Sequence, residues 1–244
     1  MNKKRIKLLL EYDGTRYCGW QYQPDAVSIQ ETVEVALQKL TGESIRIYTA
    51  GRTDAGVHAK GQVVHFDTGS KLNMDNFYKG LNYYLPNDIA VLEAVETDPE
   101  FHARYSAKSR SYQYLIKRNY SSLMQNRAWI YIGNLDVDSM KKAIPWFLGE
   151  HDFKSFCSTE TQLDHYRCNV MNISLEEEGD LITFNIRANR FVHNMVRAIV
   201  GTLHQIGKGM RSPQDIPDIL KARDRTKAGP SAPPQGLYLM KIEY

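Results

Sequence analysis

The chain has 244 residues, 42% of them apolar and 24% charged, with a formal net charge of +3 and a pI near 8.6. That length supports a core without disulfide or metal staples, and it allows one large domain or two of about 120 residues. Cys18, Cys157 and Cys168 lie far apart and form no Cys-x-x-Cys pair, which excludes zinc-ribbon and thioredoxin-type motifs and fits a reducing cytosol.

The basic start Met1-Asn2-Lys3-Lys4-Arg5 is followed only by a strand-length apolar patch, so neither a signal peptide nor a membrane span is expected. Residues 5–12 read as a first strand, closed by Asp13-Gly14. Ile29, Val33, Ala36, Leu37 and Leu40 recur at helical spacing, which predicts a helix over 28–41 with Ser28 and Glu31 in capping-box positions. A short strand over 45–49 leads into a polar loop, Gly51–Ala59, and Gln62–Phe66 reads as the next strand. A helix over 73–84, ending before Pro86, and a strand over 89–96 complete a β-α-β-β-α-β order, that of a ferredoxin-like half.

The second half has a looser version of the same pattern. Arg110–Lys117 alternates as a strand, 136–148 is helical with Asp136 at its start and Gly149 at its end, and Val170–Leu175 with Leu181–Ala188 forms a hairpin. Phe191–Ile206 reads as a long helix, Pro213–Ala222 as a second, and Leu237–Ile242 as the last strand. Strict βα alternation is lacking, so the fold class is α+β with antiparallel sheets. The boundary falls near 100–108, giving domains 1–105 and 106–244, with a ligand expected in the cleft between the halves.

Five segments carry chemistry. Gly51-Arg52-Thr53-Asp54-Ala55-Gly56-Val57-His58-Ala59 sets one carboxylate and one guanidinium between two glycines, a pattern suited to presenting a positioned anion to a substrate. Read alone, it favours an ordinary polar turn with Asp54 as a helix N-cap. Tyr12-Asp13-Gly14-Thr15 invites an aspartyl-phosphate reading. That reading fails because the residue two positions before Asp13 is Glu11, inside the strand, and a tight turn explains the motif better. Arg110-Ser111-Tyr112-Gln113-Tyr114 puts both tyrosines on one strand face, where core packing is the ordinary explanation. Arg190, His193 and Arg197 are spaced to share one face of the predicted 191–206 helix. Gly229 to Leu239, by itself, is a turn running into a strand.

Taken together, these segments resemble the tRNA pseudouridine synthase A family. The resemblance rests on Tyr-Asp-Gly-Thr-x-Tyr-x-Gly-Trp-Gln-x-Gln-Pro, the Gly-Arg-Thr-Asp-Ala-Gly-Val-His-Ala loop followed by Gly61-Gln62-Val63-Val64-His65-Phe66, Arg-Ser-Tyr-x-Tyr, Phe-Val-His-Asn-Met-Val-Arg, and Ala-Pro-Pro-x-Gly-Leu-Tyr-Leu. They occur in the family's order and run almost end to end. Tyr17 stands where Phe is common, and Val192 where Leu is common.

The resemblance implies an α+β pseudouridine synthase fold and isomerisation of uridine to pseudouridine at positions 38, 39 and 40 of the tRNA anticodon stem-loop. No redox cofactor, nucleotide or metal is implied, because the N1–C1′ bond is exchanged for a C5–C1′ bond with no net gain or loss. Asp54 is the implied catalytic carboxylate, attacking C1′ or C6 or stabilising charge at C1′. Arg197 would keep it ionised, Tyr112 would stack on the uracil, and Leu237 would close the pocket. Arg52 would occupy the gap left by the flipped nucleotide. His58 has either a chemical role or one in tying the loop. Lys3, Lys4, Arg5, Lys108, Arg110, Lys117 and Arg118 are candidate phosphate contacts. The resemblance also implies a cytoplasmic homodimer with tRNA as partner. A catalytically silent RNA-binding relative would have no chemical need for Asp54, Arg197 and Tyr112 together.

Overall fold

The computed structural model describes residues 3–244; Met1 and Asn2, which open the basic N-terminal stretch, lie outside the described residues. The chain divides into two compact units, Met1–Lys108 with Tyr238–Tyr244, and Ser109–Leu237.

The first unit begins with β1 (Lys4–Tyr12), whose alternate residues Ile6, Leu8, Leu10 and Tyr12 are all buried. This is the period of a strand with one face on a core. Helix α1 (Ile29–Thr41) follows, and the Ser28 hydroxyl caps it by accepting from the Glu31 backbone N–H, an interaction typically worth about 1 kcal/mol. Next come β2 (Tyr48–Thr49), β3 (His58–Thr68), α2 (Met74–Tyr84) and β4 (Ile89–Thr97). β1 pairs antiparallel with both β3 and β4, and β2 pairs antiparallel with β3, so the strand order is β4-β1-β3-β2. That is the split arrangement of a ferredoxin-like unit. β10 (Leu237–Glu243) adds a parallel pairing at Tyr238↔His58 and Leu239↔Ala59. Helices α1 and α2 bury Ile29, Val33, Leu37, Phe77 and Leu81.

The second unit contains β5 (Ser109–Lys117), β6 (Trp129–Ile130), α3 (Val137–Ala143), β7 (Gly149–Asp152), β8 (Arg167–Glu178), β9 (Leu181–Ala188), α4 (Met195–Gly207) and α5 (Ile216–Ala222). Its strands run β5-β9-β8-β7, all antiparallel, with β6 parallel to the end of β5. In chain order β5-α3-β8-β9-α4-β10 repeats the β-α-β-β-α-β succession of the first half, and the α+β expectation holds.

Several elements differ from the sequence reading for local reasons. The 136–148 helix splits, because Pro145 has no N–H to donate: α3 ends at Ala143 and a 3-10 turn covers Ile144–Phe147. The predicted 45–49 strand pairs only at Tyr48–Thr49, while β3 starts four residues earlier than expected, at His58. The long helix begins at Met195 rather than Phe191, because Asn194 takes φ +66°, a left-handed conformation that a helix does not pass through.

Candidate active site

The Gly51–Ala59 loop is held by close backbone approaches within the first unit. Trp20 N–H donates to the Thr53 carbonyl at 3.0 Å, and Gly19 and Asp54 form an isolated bridge. Gly19 has φ +105°, and a Cβ on it would sit 2.7 Å from the Thr53 oxygen and 3.0 Å from the Asp54 carbonyl carbon. Gly14 is equally constrained: a Cβ there would lie 2.7 Å from the Val57 carbonyl carbon. Only glycine lets two backbones meet at this distance. The loop turns through Gly56, at φ +75°, with Val57 N–H donating to the Asp54 carbonyl at 3.1 Å. No helix follows Asp54, so the helix-cap reading of this carboxylate is overturned. Asp54 is half-buried and Arg52 is exposed.

His58 opens β3 behind the loop and is only 2% exposed. Its Nδ1 accepts from the Gly14 backbone N–H at 3.1 Å and lies 3.2 Å from Asp13 Oδ1. Its ring stacks on Tyr238 at a centroid distance of 4.7 Å. Those contacts belong to a residue that ties the loop to its frame. Tyr17 also acquires a use: its hydroxyl donates to Asp88 at 2.7 Å, and burial together with that carboxylate raises its pKa.

The second unit carries the other predicted residues. Tyr112 and Tyr114 share a face of β5 but differ in environment. Tyr114 is fully buried and donates to the Pro233 carbonyl at 2.7 Å, whereas Tyr112 is half-buried with its ring edge-on to Phe191 at 4.9 Å. The core explanation therefore suits Tyr114 better than Tyr112. Arg197 lies in the first turn of α4. Its Nε donates to the Ala232 carbonyl at 2.8 Å and its Nη1 to Asn194 Oδ1 at 2.9 Å, while Ala232 N–H donates to the Arg197 carbonyl at 2.9 Å. Asn194 thus orients this guanidinium instead of capping the helix. Leu237 is buried at the start of β10, just after Gly236, whose Cα faces the Tyr114 ring closely enough that a Cβ would meet it at 2.6 Å.

Two expectations need correction. Arg190 and His193 precede α4 and do not share a helix face with Arg197. Arg190 lies 3.1 Å from His165 Nε2, and His193 Nδ1 lies 2.9 Å from the Thr161 hydroxyl. Several candidate phosphate contacts are engaged inside the chain: Arg5 pairs with Asp67 at 2.7 Å, Arg118 with Glu177 at 2.6 Å, Lys117 with Asp180, and Arg110 donates to the Asn189 carbonyl. Among the described residues no group of three or more His, Cys, Asp or Glu is placed to hold a metal, and no helix is long and apolar enough to cross a membrane.

Against known proteins, the family model for tRNA pseudouridine synthase matches residues 9–106 and 143–244. The chain belongs to this family. It is 46% identical to tRNA pseudouridine synthase A of Caldicellulosiruptor bescii over 243 residues, covering 99% of this chain and 100% of that one. It is 44% identical to the Brevibacillus brevis tRNA pseudouridine synthase A over the same length and share of each chain. Among solved structures, a Cbf5-Nop10-Gar1 complex aligns with 96% of this chain and 56% of that one at 11% identity and a TM-score of 0.36, too low to carry any conclusion. Membership makes the α+β architecture a pseudouridine synthase fold.

Sequence reasoning missed the buried frame of the loop. Tyr12 and Gln62 stood inside segments already singled out, yet no local signal showed that their side chains end under residues 51–53.

Proposed function

We propose that this protein isomerises uridine to pseudouridine at positions 38, 39 and 40 of the tRNA anticodon stem-loop, acting as a cytoplasmic homodimer without a cofactor. Asp54 is the catalytic nucleophile. The N1–C1′ bond breaks, the uracil turns, C5 bonds to C1′, and the proton leaves C5 while N1 gains one. A covalent carboxylate step would divide one high barrier into two lower ones. Arg52, Tyr112, Arg197 and Leu237 bind substrate: Arg52 fills the space of the flipped nucleotide, the Tyr112 ring stacks on the uracil, Arg197 supplies an oriented cation, and Leu237 an apolar wall. Asp54 belongs to the unit formed by 1–108 and 238–244, and Tyr112, Arg197 and Leu237 to the unit 109–237, not to a strict 1–105 and 106–244 split.

The observation that carries this reading is the rigid presentation of Asp54. A half-exposed carboxylate sits on a loop held by two glycines against backbone and by a buried histidine behind it. Such a group does not have to be ordered when substrate arrives, which is what preorganised chemistry requires. The test is tritium release from tRNA labelled at uracil C5. Asp54→Asn should abolish release while tRNA affinity stays within about threefold, and normal turnover by this variant would reject the assignment.

A further inference from the structure

A buried hydrogen-bonded floor lies under the loop. Gln62 is fully buried, and its amide orientation is set by two backbone groups. The Val63 N–H can only donate, so it faces Oε1 at 3.1 Å, and the Gly51 carbonyl can only accept, so it faces Nε2 at 2.7 Å. Nε2 also approaches the Tyr12 hydroxyl at 3.4 Å as a donor. The Tyr12 oxygen therefore accepts from that side, and the Tyr12 and Thr53 hydroxyls share a hydrogen bond of 2.8 Å. Burial raises the Tyr12 pKa to about 12, so this hydroxyl keeps its proton across the working range. Gly51 and Thr53 flank Arg52, and Thr53 immediately precedes Asp54. Both residues that bracket Arg52 are thus gripped from beneath.

We infer that Tyr12 and Gln62 are positioning residues for the chemical step, setting Arg52 and Asp54 in register through Gly51 and Thr53; the inference rests on the isomerase reading above. A buried polar chain of this kind is costly if broken and directional when intact. A floor built only for stability would serve as well with apolar side chains, and it would not need to end on the two residues around Arg52.

The test uses the full chain, with single-turnover rates on tRNA, tRNA Kd, and hydrogen exchange over residues 51–57. Tyr12→Phe should slow the step about tenfold with Kd within twofold of the wild type. Thr53→Val should do the same, Thr53→Ser should restore the rate, and Tyr12→Phe with Thr53→Val together should be no slower than either alone. Exchange over 51–57 should rise in Tyr12→Phe and Thr53→Val alike. A wild-type rate in Tyr12→Phe, or losses that multiply in the double variant, would overturn the inference. Thr53→Val keeps the test open if Tyr12→Phe folds poorly. If the wild-type protein forms no pseudouridine, the isomerase reading fails; the exchange arm then decides the floor, and unchanged exchange over 51–57 rejects it.

Discussion

Substituting Gly19 by alanine tests whether the Asp54 loop is held by backbone contact. Two costs arise at this position. At φ +105° an L side chain is strained, by roughly 1–2 kcal/mol. The new Cβ would also stand 3.0 Å from the Asp54 carbonyl carbon, where non-bonded carbons need roughly 3.5 Å, so the loop must retreat by about half an ångström. A full ångström of misplacement can cost about a hundredfold in rate, so half of that predicts a loss of about tenfold. The backbone strain alone, about 1–2 kcal/mol, lowers Tm by roughly 2–8 °C for a chain of this size. Gly42→Ala is the control: Gly42 also has positive φ, +75°, but nothing lies within 4 Å of its added Cβ. Single-turnover tritium release with tRNA in excess, beside thermal unfolding, should show Gly19→Ala slow and less stable. Gly42→Ala should be somewhat less stable but of normal rate. A wild-type rate in Gly19→Ala, or an equal rate loss in Gly42→Ala, would refute the reasoning.

Tyr112→Phe should bind tRNA normally yet slow the single-turnover rate at least tenfold if the hydroxyl moves a proton, since proton transfer by a positioned side chain is typically worth about a hundredfold or more; an unchanged rate would confine Tyr112 to stacking. tRNA affinity should fall steeply with salt, and alanine at Arg5, whose guanidinium is taken by Asp67, should leave the slope of log Kd against log salt unchanged; a flat response would exclude a phosphate-dominated interface. Burial, with His102 and Arg5 nearby, pushes His65 down to about 4. Below about pH 6.5 the unfolded chain binds a proton at this residue that the folded one refuses, so stability declines as pH falls and the loss is complete near pH 4. The full difference is about 3 kcal/mol, and denaturant titrations of wild type against His65→Gln at pH 7 and pH 4 should show it; equal pH dependence in the two would refute it.

Much of the architecture was legible because its causes are local. Ser28 and Asp136 cap the helices they precede, through bonds to Glu31 and Ser139, and both can be read within a few residues. The alternation of Ile6, Leu8 and Leu10 is a strand signal for the same reason. The start of α4 was not legible: apolar spacing continues through Phe191 and Val192, and only the left-handed backbone of Asn194 stops the helix. That displacement took Arg190 and His193 off the face on which spacing had placed them, and left Arg197 alone on the helix.

The residue types around Asp54, the glycines flanking it and the order of the motifs are properties of the sequence, and they sufficed to reach the family and the carboxylate. Which of those residues are buried in the frame of the loop and which stay partly exposed was decided only in three dimensions. Gly14 meets Val57, Gly19 meets Asp54, and Tyr12 reaches Thr53 across 41 positions of sequence. Contacts at that separation depend on strand register: pairing Tyr12 with Ala59 places the Gly14 turn against the loop. No property of either segment alone specifies that pairing, because register is set by the burial of whole strand faces.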